Sequence, residues 1–460
     1  MERQKRKKTR DRHGRRAKAR FDKPKPSSVE DPELEEREDR DRNRAGYLDE
    51  IVSDDWQEAD ADRQARDLDL AGIDSREIRD RSAYLVACHW DWSMTSRRYS
   101  VYKMVDLAAS SSARGQRLKR LGCFKADAAG KVFTSVSSRN RAWIVGVGGD
   151  HGETVIFDTS SSSNNNKVIQ GPNLNSAKRY PILMTIGDKV YAMSKTPSWI
   201  SDPDFPPWFE VLDLSKAKVV TIAGKLHLED CSWTPLPHPP CMPWELSLTG
   251  FTRLPIVILM SYVVVGTYIL VSFNEPWGTY AFDTNAQEWH KVDEDNLPFT
   301  GRATPLIGSV FLAEPRKKVR LINAYRIHVT TSDDGDNNPL IKLSIAVLPV
   351  KYMGREVRVG PAFSSMDNES FCSLNLSVDT NNLTYRHDTG AVFPRTVHAN
   401  LTRYQIEDPS SLLENREEDM LAVNPEVAIY SEQEHILNIT SKTHVFFPCG
   451  FCLVLMDLSN

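Results

Sequence analysis

One phrase recurs along this chain and constrains its fold more than any other feature. It is a short apolar run ending in an aromatic or aliphatic residue, then Asp, then a small or apolar residue and a polar turn. It reads VIFDT (Val155–Thr159), EVLDL (Glu210–Leu214), YAFDT (Tyr280–Thr284) and VLMDL (Val454–Leu458), with looser copies in YKMVDL (Tyr102–Leu107) and LSVDT (Leu376–Thr380). A second phrase precedes it, an apolar run ending at glycine: AWIVGVGG (Ala142–Gly149) ahead of VIFDT and VVVGTYILVSF (Val263–Phe273) ahead of YAFDT. Self-similarity of this kind marks a repeat architecture, in which one supersecondary unit is stacked against copies of itself.

The unit is a small antiparallel sheet. From Arg81 onward, short runs rich in Val, Ile, Tyr, Phe and Trp alternate with Gly, Pro, Ser, Asp and Asn clusters, the pattern of many strands and turns. The spacing predicts an all-β fold. An inner strand of small and β-branched residues packs near an axis, with Gly where backbones crowd. The Asp accepts backbone N–H groups in the turn that follows, and a Trp on the outer strand covers the apolar space between neighbouring sheets. Only Ser410–Val423 has the character of a short helix or surface insertion.

The run Leu254–Phe273 is uncharged for 20 residues, long enough to cross a bilayer as a helix. Its Pro255, Gly266 and excess of Val, Ile and Tyr favour two buried strands broken near Ser261 or Gly266. Its relative RYPILMTIGDKVYAMS (Arg179–Ser194) opens in the same way and carries Asp188 and Lys189. Strands are therefore the expectation for both, and no membrane span.

The net charge of -4 conceals a divided chain. Residues 1–20 carry 11 Lys/Arg against 2 Asp/Glu, whereas residues 30–80 carry 20 Asp/Glu against 8 Lys/Arg. With few large apolar side chains, residues 1–80 cannot bury enough surface to offset their conformational entropy and are expected to be a disordered tail. Lys5, Arg6, Lys7, Lys8, Arg15 and Arg16 form a bipartite cluster, suited to nuclear import, to phosphate contact, or to nothing beyond solvation. Phe21 is the lone aromatic of residues 1–46, which argues against nucleic acid because base stacking has no platform. The N-terminus lacks the apolar core of a secretory signal. Seven scattered cysteines fit a reducing compartment. Nucleus or cytoplasm is the expectation, and the five sequons at Asn368, Asn375, Asn382, Asn400 and Asn438 are read as chance.

Chemistry is not written plainly anywhere. Cys449 and Cys452 have redox-pair spacing but lie in the strand-like HVFFPCGFCLVLMDL, with no second pair to complete a zinc set. The chain carries no nucleophile elbow, P-loop or HExxH, and the histidines are isolated. No catalytic residue, metal or cofactor is assigned, and the chain is read as not an enzyme.

Apolar strand, Gly148–Gly149, spacer, Phe157–Asp158, together with Gly278, Phe282 and, six residues on, Trp289, resembles the kelch repeat of β-propellers. WTPLPHPP (Trp233–Pro240) is similar to the ending of a kelch blade. The match is best over 142–293, and that stretch is similar to the kelch-like propellers of plants, including a group expanded in grasses. The resemblance implies a kelch-like β-propeller of six or seven blades over 81–460. The Asp landmarks at 158, 213, 283, 379 and 457 are irregularly spaced, by 55, 70, 96 and 78 residues. It also implies a protein–protein interaction module acting as a monomer on an unknown partner. Trp199, Phe205, Trp208 and Trp244, in the Pro-rich segments 198–210 and 231–244, are candidate anchors of its binding face. Packing between blades is the competing role for each. Two relatives of this plan are considered: a ubiquitin-ligase adaptor, for which residues 1–80 show no F-box, and a propeller oxidase, whose motifs are absent.

Overall fold

The computed structural model describes residues 82–456 apart from 91–96, 104–113, 117–118, 127–129, 139–140, 160–167, 198–205, 242–256, 318–320, 333–339, 354–361, 367, 379–382, 387–390, 395, 413–424, 439–443 and 446–450. The described residues are β-structure joined by turns, as the strand-and-turn pattern predicts, with a 3-10 turn at Pro409–Leu412; the rest of the expected helix or insertion, 413–423, lies outside the described residues.

The strands fall into antiparallel meanders that follow one another along the chain. In the first, β1 (Ser82–Trp90) pairs with β2 (Arg97–Lys103), the short β3 (Arg114–Gln116) intervenes, and β4 (Lys119–Ala126) completes the order β1–β2–β4. Next come β5 (Lys131–Ser138), β6 (Arg141–Gly148), β7 (Glu153–Asp158) and β8 (Val168–Gln170), paired in sequence order. The third meander contains β9 (Ile182–Ile186), β10 (Lys189–Met193) and β11 (Phe209–Asp213). A hairpin of β12 (Lys218–Ile222) and β13 (Lys225–Glu229) follows, and β14 (Trp233–Pro235) then closes the order β9–β10–β11–β14. The fourth is β15 (Leu259–Val265), β16 (Tyr268–Phe273), β17 (Thr279–Asp283) and β18 (Glu288–Asp293). The fifth is β19 (Phe299–Ile307), β20 (Val310–Pro315), β21 (Asn323–Ser332) and β22 (Leu340–Pro349). After β23 (Lys351–Tyr352) the sixth uses β24 (Ala362–Ser365) and β25 (Ser370–Val378). The small hairpin β26 (Leu383–Arg386) and β27 (Ala391–Pro394) precedes β28 (Thr396–Glu407) and β29 (Glu426–Asn438), giving the order β24–β25–β28–β29. Finally β30 (His444–Val445) and β31 (Phe451–Met456) return to the first meander, where both pair antiparallel with β1.

The run Leu254–Phe273 thus supplies β15 and β16, broken at Gly266, which has φ +57. Among the described residues no helix is long and apolar enough to cross a membrane.

The core lies in layers between successive sheets. Tyr84, Val86 and Tyr99 of the first sheet pack with Phe133, Ile144 and Phe157 of the second. Trp143, Val145 and Ile156 of the second meet Leu183, Val190 and Leu212 of the third. Met184, Tyr191 and Phe209 meet Ile269, Val271 and Phe282 of the fourth, and Leu270 and Ala281 of the fourth meet Phe311 and Tyr325 of the fifth. Leu312 and Ala324 then meet Phe371, Tyr404 and Ile406 of the sixth. This layering explains why β6, β7, β10 and β16 read as nearly continuous apolar runs: both faces of each strand are covered.

Two insertions tie outer edges together. The hairpin β12–β13 leaves the third sheet and lays β13 parallel to β8 of the second, with Leu226 opposite Ile169. Likewise β3 leaves the first sheet and lies parallel to β29 of the sixth. In each case the insertion falls between the third and fourth strands of its own sheet and covers an edge that would otherwise expose unpaired N–H and C=O groups.

The recurring phrases occupy equivalent places in part. VIFDT, EVLDL and YAFDT all end the third strand of a meander, and Tyr102 and Lys103 of YKMVDL end the third strand β2. LSVDT instead falls on β25, the second strand of its sheet, and VLMDL on β31. Asp213 and Asp283 accept turn amides as predicted, from Ser215 N at 2.9 Å and Asn285 N at 2.8 Å. Burial pushes the Asp213 carboxyl up, but bonds from Ser215 with Lys189 and Lys216 nearby outweigh it and hold the group below its usual value. Replacing Asp283 by Ala is expected to cost about 1 kcal/mol, read as a lowered denaturant midpoint at unchanged m-value.

Gly148 shows why the double glycine is needed. It has φ +115, and a Cβ there would stand 2.7 Å from Pro181 Cδ and 2.8 Å from the carbonyl oxygens of Gly130 and Lys178. Two of those neighbours are backbone and cannot yield. Gly148→Ala is expected to destabilise by about 2–3 kcal/mol, whereas Gly187→Ala, with φ +55 but nothing within 4 Å, should cost only about 1 kcal/mol. Urea unfolding of the two variants side by side measures the difference.

Candidate interaction face

Strand pairing aligns one end of each sheet. In the third sheet Ile182, Met193 and Phe209 are opposite one another, and Glu210 is opposite Pro235. The connection 194–208 and the segment after β14 therefore leave from the same end. These are the segments that carry the four candidate anchors. Trp199, Phe205 and Trp244 lie outside the described residues, as do Lys5, Arg6, Lys7, Lys8, Arg15 and Arg16.

Trp208 is described, and it points inward. It is 7% exposed, its ring meets that of His238 edge-on at 5.4 Å, and its carbonyl accepts Ser194 N at 2.8 Å. The ring ties the roots of the two segments together. Trp233 is buried in the same manner, donating Nε1 to Thr154 Oγ1 at 2.9 Å and Pro172 O at 3.1 Å across the seam to the second sheet. Trp289 repeats the device one sheet later. Its Nε1 donates to Pro237 O at 2.8 Å, and its ring lies 5.0 Å from Phe282 and 5.8 Å from Phe209 of the neighbouring sheet.

Next to Phe209, at the start of β11, lies an ion pair that sequence reasoning missed. Lys178 and Glu210 form a salt bridge with both side chains fully buried. Glu210 Oε2 also accepts Asn175 N at 2.9 Å and Asn175 Nδ2 at 2.7 Å, and its Oε1 accepts Ser176 N at 3.4 Å. Asn175 Nδ2 further donates to Trp233 O at 2.9 Å, while Lys178 Nζ donates to Ser176 O at 3.1 Å. A buried charge persists only when paired and hydrogen-bonded, and here the pair locks the connection 171–181 of the second sheet onto β11 of the third. A second clasp lies nearby: Lys131 Nζ, also buried, donates to Glu153 Oε2 and to Gly148 O, both at 2.7 Å. The signal for Glu210 was present in FEVLD, where one charge interrupts an apolar strand; Lys178, beside Arg179 in a turn, gave none.

Among the described residues no group of three or more His, Cys, Asp or Glu could hold a metal ion. Burial, with Cys241 close by, pushes the Tyr280 phenol up to about 12, and burial does the same for Tyr325. Both remain protonated and neutral across the physiological range.

A family model described as "Protein of unknown function (DUF1668)" matches residues 80–428. The chain belongs to the DUF1668 family. No curated protein matches this DUF1668 chain. Among solved structures it is similar to a protein from Lactobacillus plantarum, at 10% identity and a TM-score of 0.36, covering 82% of this chain and 99% of that one. It is also similar to the Cps50 (Swd1) beta-propeller domain of Myceliophteria thermophila, at 10% identity and a TM-score of 0.31, over 69% of this chain and 82% of that one. TolB from Acinetobacter baumannii matches at 8% identity and a TM-score of 0.32, over 76% and 66% respectively.

Proposed function

We propose that this DUF1668 chain is a non-enzymatic protein–protein interaction module built on a kelch-like β-propeller of six blades. One observation carries the reading: six meanders follow one another with a layer of core between neighbours, and the last strand, β31, returns to pair with the first, β1. A ring built this way presents its second-to-third-strand and inter-blade connections at one face, the remaining turns lying at the other, and such a loop face is a binding surface. The buried clasps Lys178–Glu210 and Lys131–Glu153 hold those connections on a rigid base, which lowers the entropic cost of recognition. The Pro- and aromatic-rich segments 198–207 and 236–256 then supply the contact surface. The kelch-like character rests on Gly148–Gly149, on the third-strand Asp residues and on Trp233 and Trp289 at the seams. The basic cluster from Lys5 to Arg16 serves nuclear import in this scheme.

Proximity labelling of the intact protein in cells is the test, run beside a variant in which 198–205 is replaced by a Gly/Ser linker. A specific set of neighbours that the variant loses supports the module and its face. Equal labelling by both would remove the face, and a labelled set no different from a freely diffusing control would remove the module. A fluorescent fusion of residues 1–25 that stays evenly distributed between nucleus and cytoplasm would remove the import role.

A further inference from the structure

The outer edge of the fifth sheet has no strand beside it among the described residues. β22 is ten residues long and pairs only with β21, in an unbroken register from Asn323 opposite Pro349 to Ser332 opposite Leu340. Ile327 N donates to Ser309 O, on the β20 side of β21. Backbone groups alternate sides along an antiparallel strand, so Ala324, Arg326, His328 and Thr330 are the residues that turn toward β22. They stand opposite Leu348, Ala346, Ser344 and Lys342. The N–H and C=O groups of Ile341, Leu343, Ile345 and Val347 therefore point away from the sheet, and no hydrogen bond of the described residues reaches them.

Such an edge is a template for another strand unless something guards it. The other outer strands are covered, charged or short. β13 pairs with β8, and β3 and β23 pair with β29. β4 carries Lys119, Arg120 and Lys125, and β18 carries Glu288, Lys291 and Asp293. β12 has five residues and β14 three. β22, LIKLSIAVLP, has Lys342 as its one charge. Its outward-bonding residues form an apolar row on one face. Ile341 is buried, Leu343 and Ile345 are partly covered by the core between the fourth and fifth sheets, and Val347 at the end of the row is 47% exposed.

We propose that β22 pairs antiparallel with β22 of a second copy of this chain, about a two-fold axis at Ser344, so that the sheet runs on across a dimer. That register is self-complementary. It sets Ile341 opposite Val347 of the second copy and Leu343 opposite Ile345 of the second copy as hydrogen-bonded pairs, and every outward N–H and C=O of the row gains a partner. The exposed Val347 of each copy receives an apolar neighbour. Lys342 meets Ala346 of the second copy, with its own equivalent about 13 Å further along the strand, so no like charges face each other. Ser344 meets its own equivalent. An isologous contact of this kind uses up the edge and closes at two copies. The dimer differs from the monomer that the kelch resemblance implied, and it stands whether or not the loop face binds a protein. A contact one strand deep is small, below about 1,200 Å², so the dimer is weak and depends on concentration.

The test is sedimentation velocity of the full-length protein over ~1–200 µM. The wild type is expected to move from monomer toward dimer as concentration rises. Ser344 is exposed and spends its backbone groups on β21. Ser344→Lys and Ser344→Glu each set like charges face to face and should each weaken the dimer by about fivefold or more. Mixed in equal amounts, the two variants should pair at least as tightly as the wild type, because Lys then faces Glu. Val347→Pro removes one outward donor per copy without touching the bonds to β21, and should weaken the dimer by about tenfold. Ile222→Lys, on the exposed edge strand β12, should leave it unchanged. Circular dichroism melts establish that each variant folds, and the Ser344 pair decides alone if Val347→Pro does not.

A wild type that stays monomeric throughout the range would overturn the pairing. So would a dimer that neither Ser344 variant weakens, or one that Ile222→Lys abolishes, which would move the contact to β12. Loss of the dimer in both Ser344 variants with no recovery in their mixture would overturn the two-fold register.

Discussion

Lys178→Met is expected to destabilise the protein by about 3–5 kcal/mol, the cost of leaving a buried charge without its partner. Glu210 has no exposed surface. With the ammonium gone, its carboxylate keeps the Asn175 and Ser176 donors but has no countercharge. The double variant Lys178→Met/Glu210→Leu should recover much of the loss, because a buried ion pair often roughly breaks even against well-packed apolar groups. The recovery should be incomplete. Ser176 is buried and its N–H would lose the Glu210 acceptor, at a cost of about 1–3 kcal/mol, whereas the exposed Asn175 can turn its donors to water. Denaturant unfolding of wild type, both single variants and the double variant forms a double-mutant cycle. A single variant that melts with the wild type would show that the seam between the second and third sheets does not depend on this pair.

What was legible in the sequence, and what was not, follows from how each residue meets its neighbours. β15 and β16 could be read because Gly266 punctuates an apolar run of β-branched and aromatic residues, half-buried by alternation in β15 and buried nearly throughout in β16. The turn role of Asp213 and Asp283 could be read because an Asp side chain reaches its own following amides, a local event. Trp233 and Trp289 announce seams because a large ring with one donor fits the space between stacked sheets.

The irregular intervals between Asp landmarks have a physical cause as well. Asp379 and Asp457 follow a second strand and a returning strand, and the fifth sheet's third strand, β21, carries no aromatic–Asp phrase. Contacts between residues distant in sequence left little trace. Nothing in KVVTIAGKLHLE says that β13 will pair with β8 of another sheet, and Lys178 does not reveal a partner 32 residues away. Trp208 shows the same limit from the other side. An aromatic in a Pro-rich loop is equally suited to a partner's surface and to its own loop's root, and nothing in the sequence announces the meeting of Trp208 with His238.

Removing residues 446–460 is expected to have the largest effect of all. β31 forms six residue pairs with β1, from Ser82–Met456 to Ala87–Phe451. The lost ladder hydrogen bonds alone amount to several kcal/mol, at about 1 kcal/mol each. The deletion also strips the edge of β1, a strand in which Tyr84, Leu85, Val86 and Ala87 are all buried. An apolar strand with one side of its ladder open is a template for pairing with other chains. The truncated protein should therefore unfold at lower denaturant, lose cooperativity and associate at concentrations where the intact chain does not.

A peptide of residues 446–460 added in trans distinguishes closure from mere loss of material. If β31 is the latch, the peptide should rebind β1, raise the midpoint in proportion to the logarithm of its concentration and suppress association. Val454→Pro in that peptide should abolish the rescue, because Val454 faces Tyr84 in the ladder and proline has no N–H to donate. A truncated protein that is as stable and as soluble as the intact one would mean that the six sheets hold together through their core layers without the returning strand.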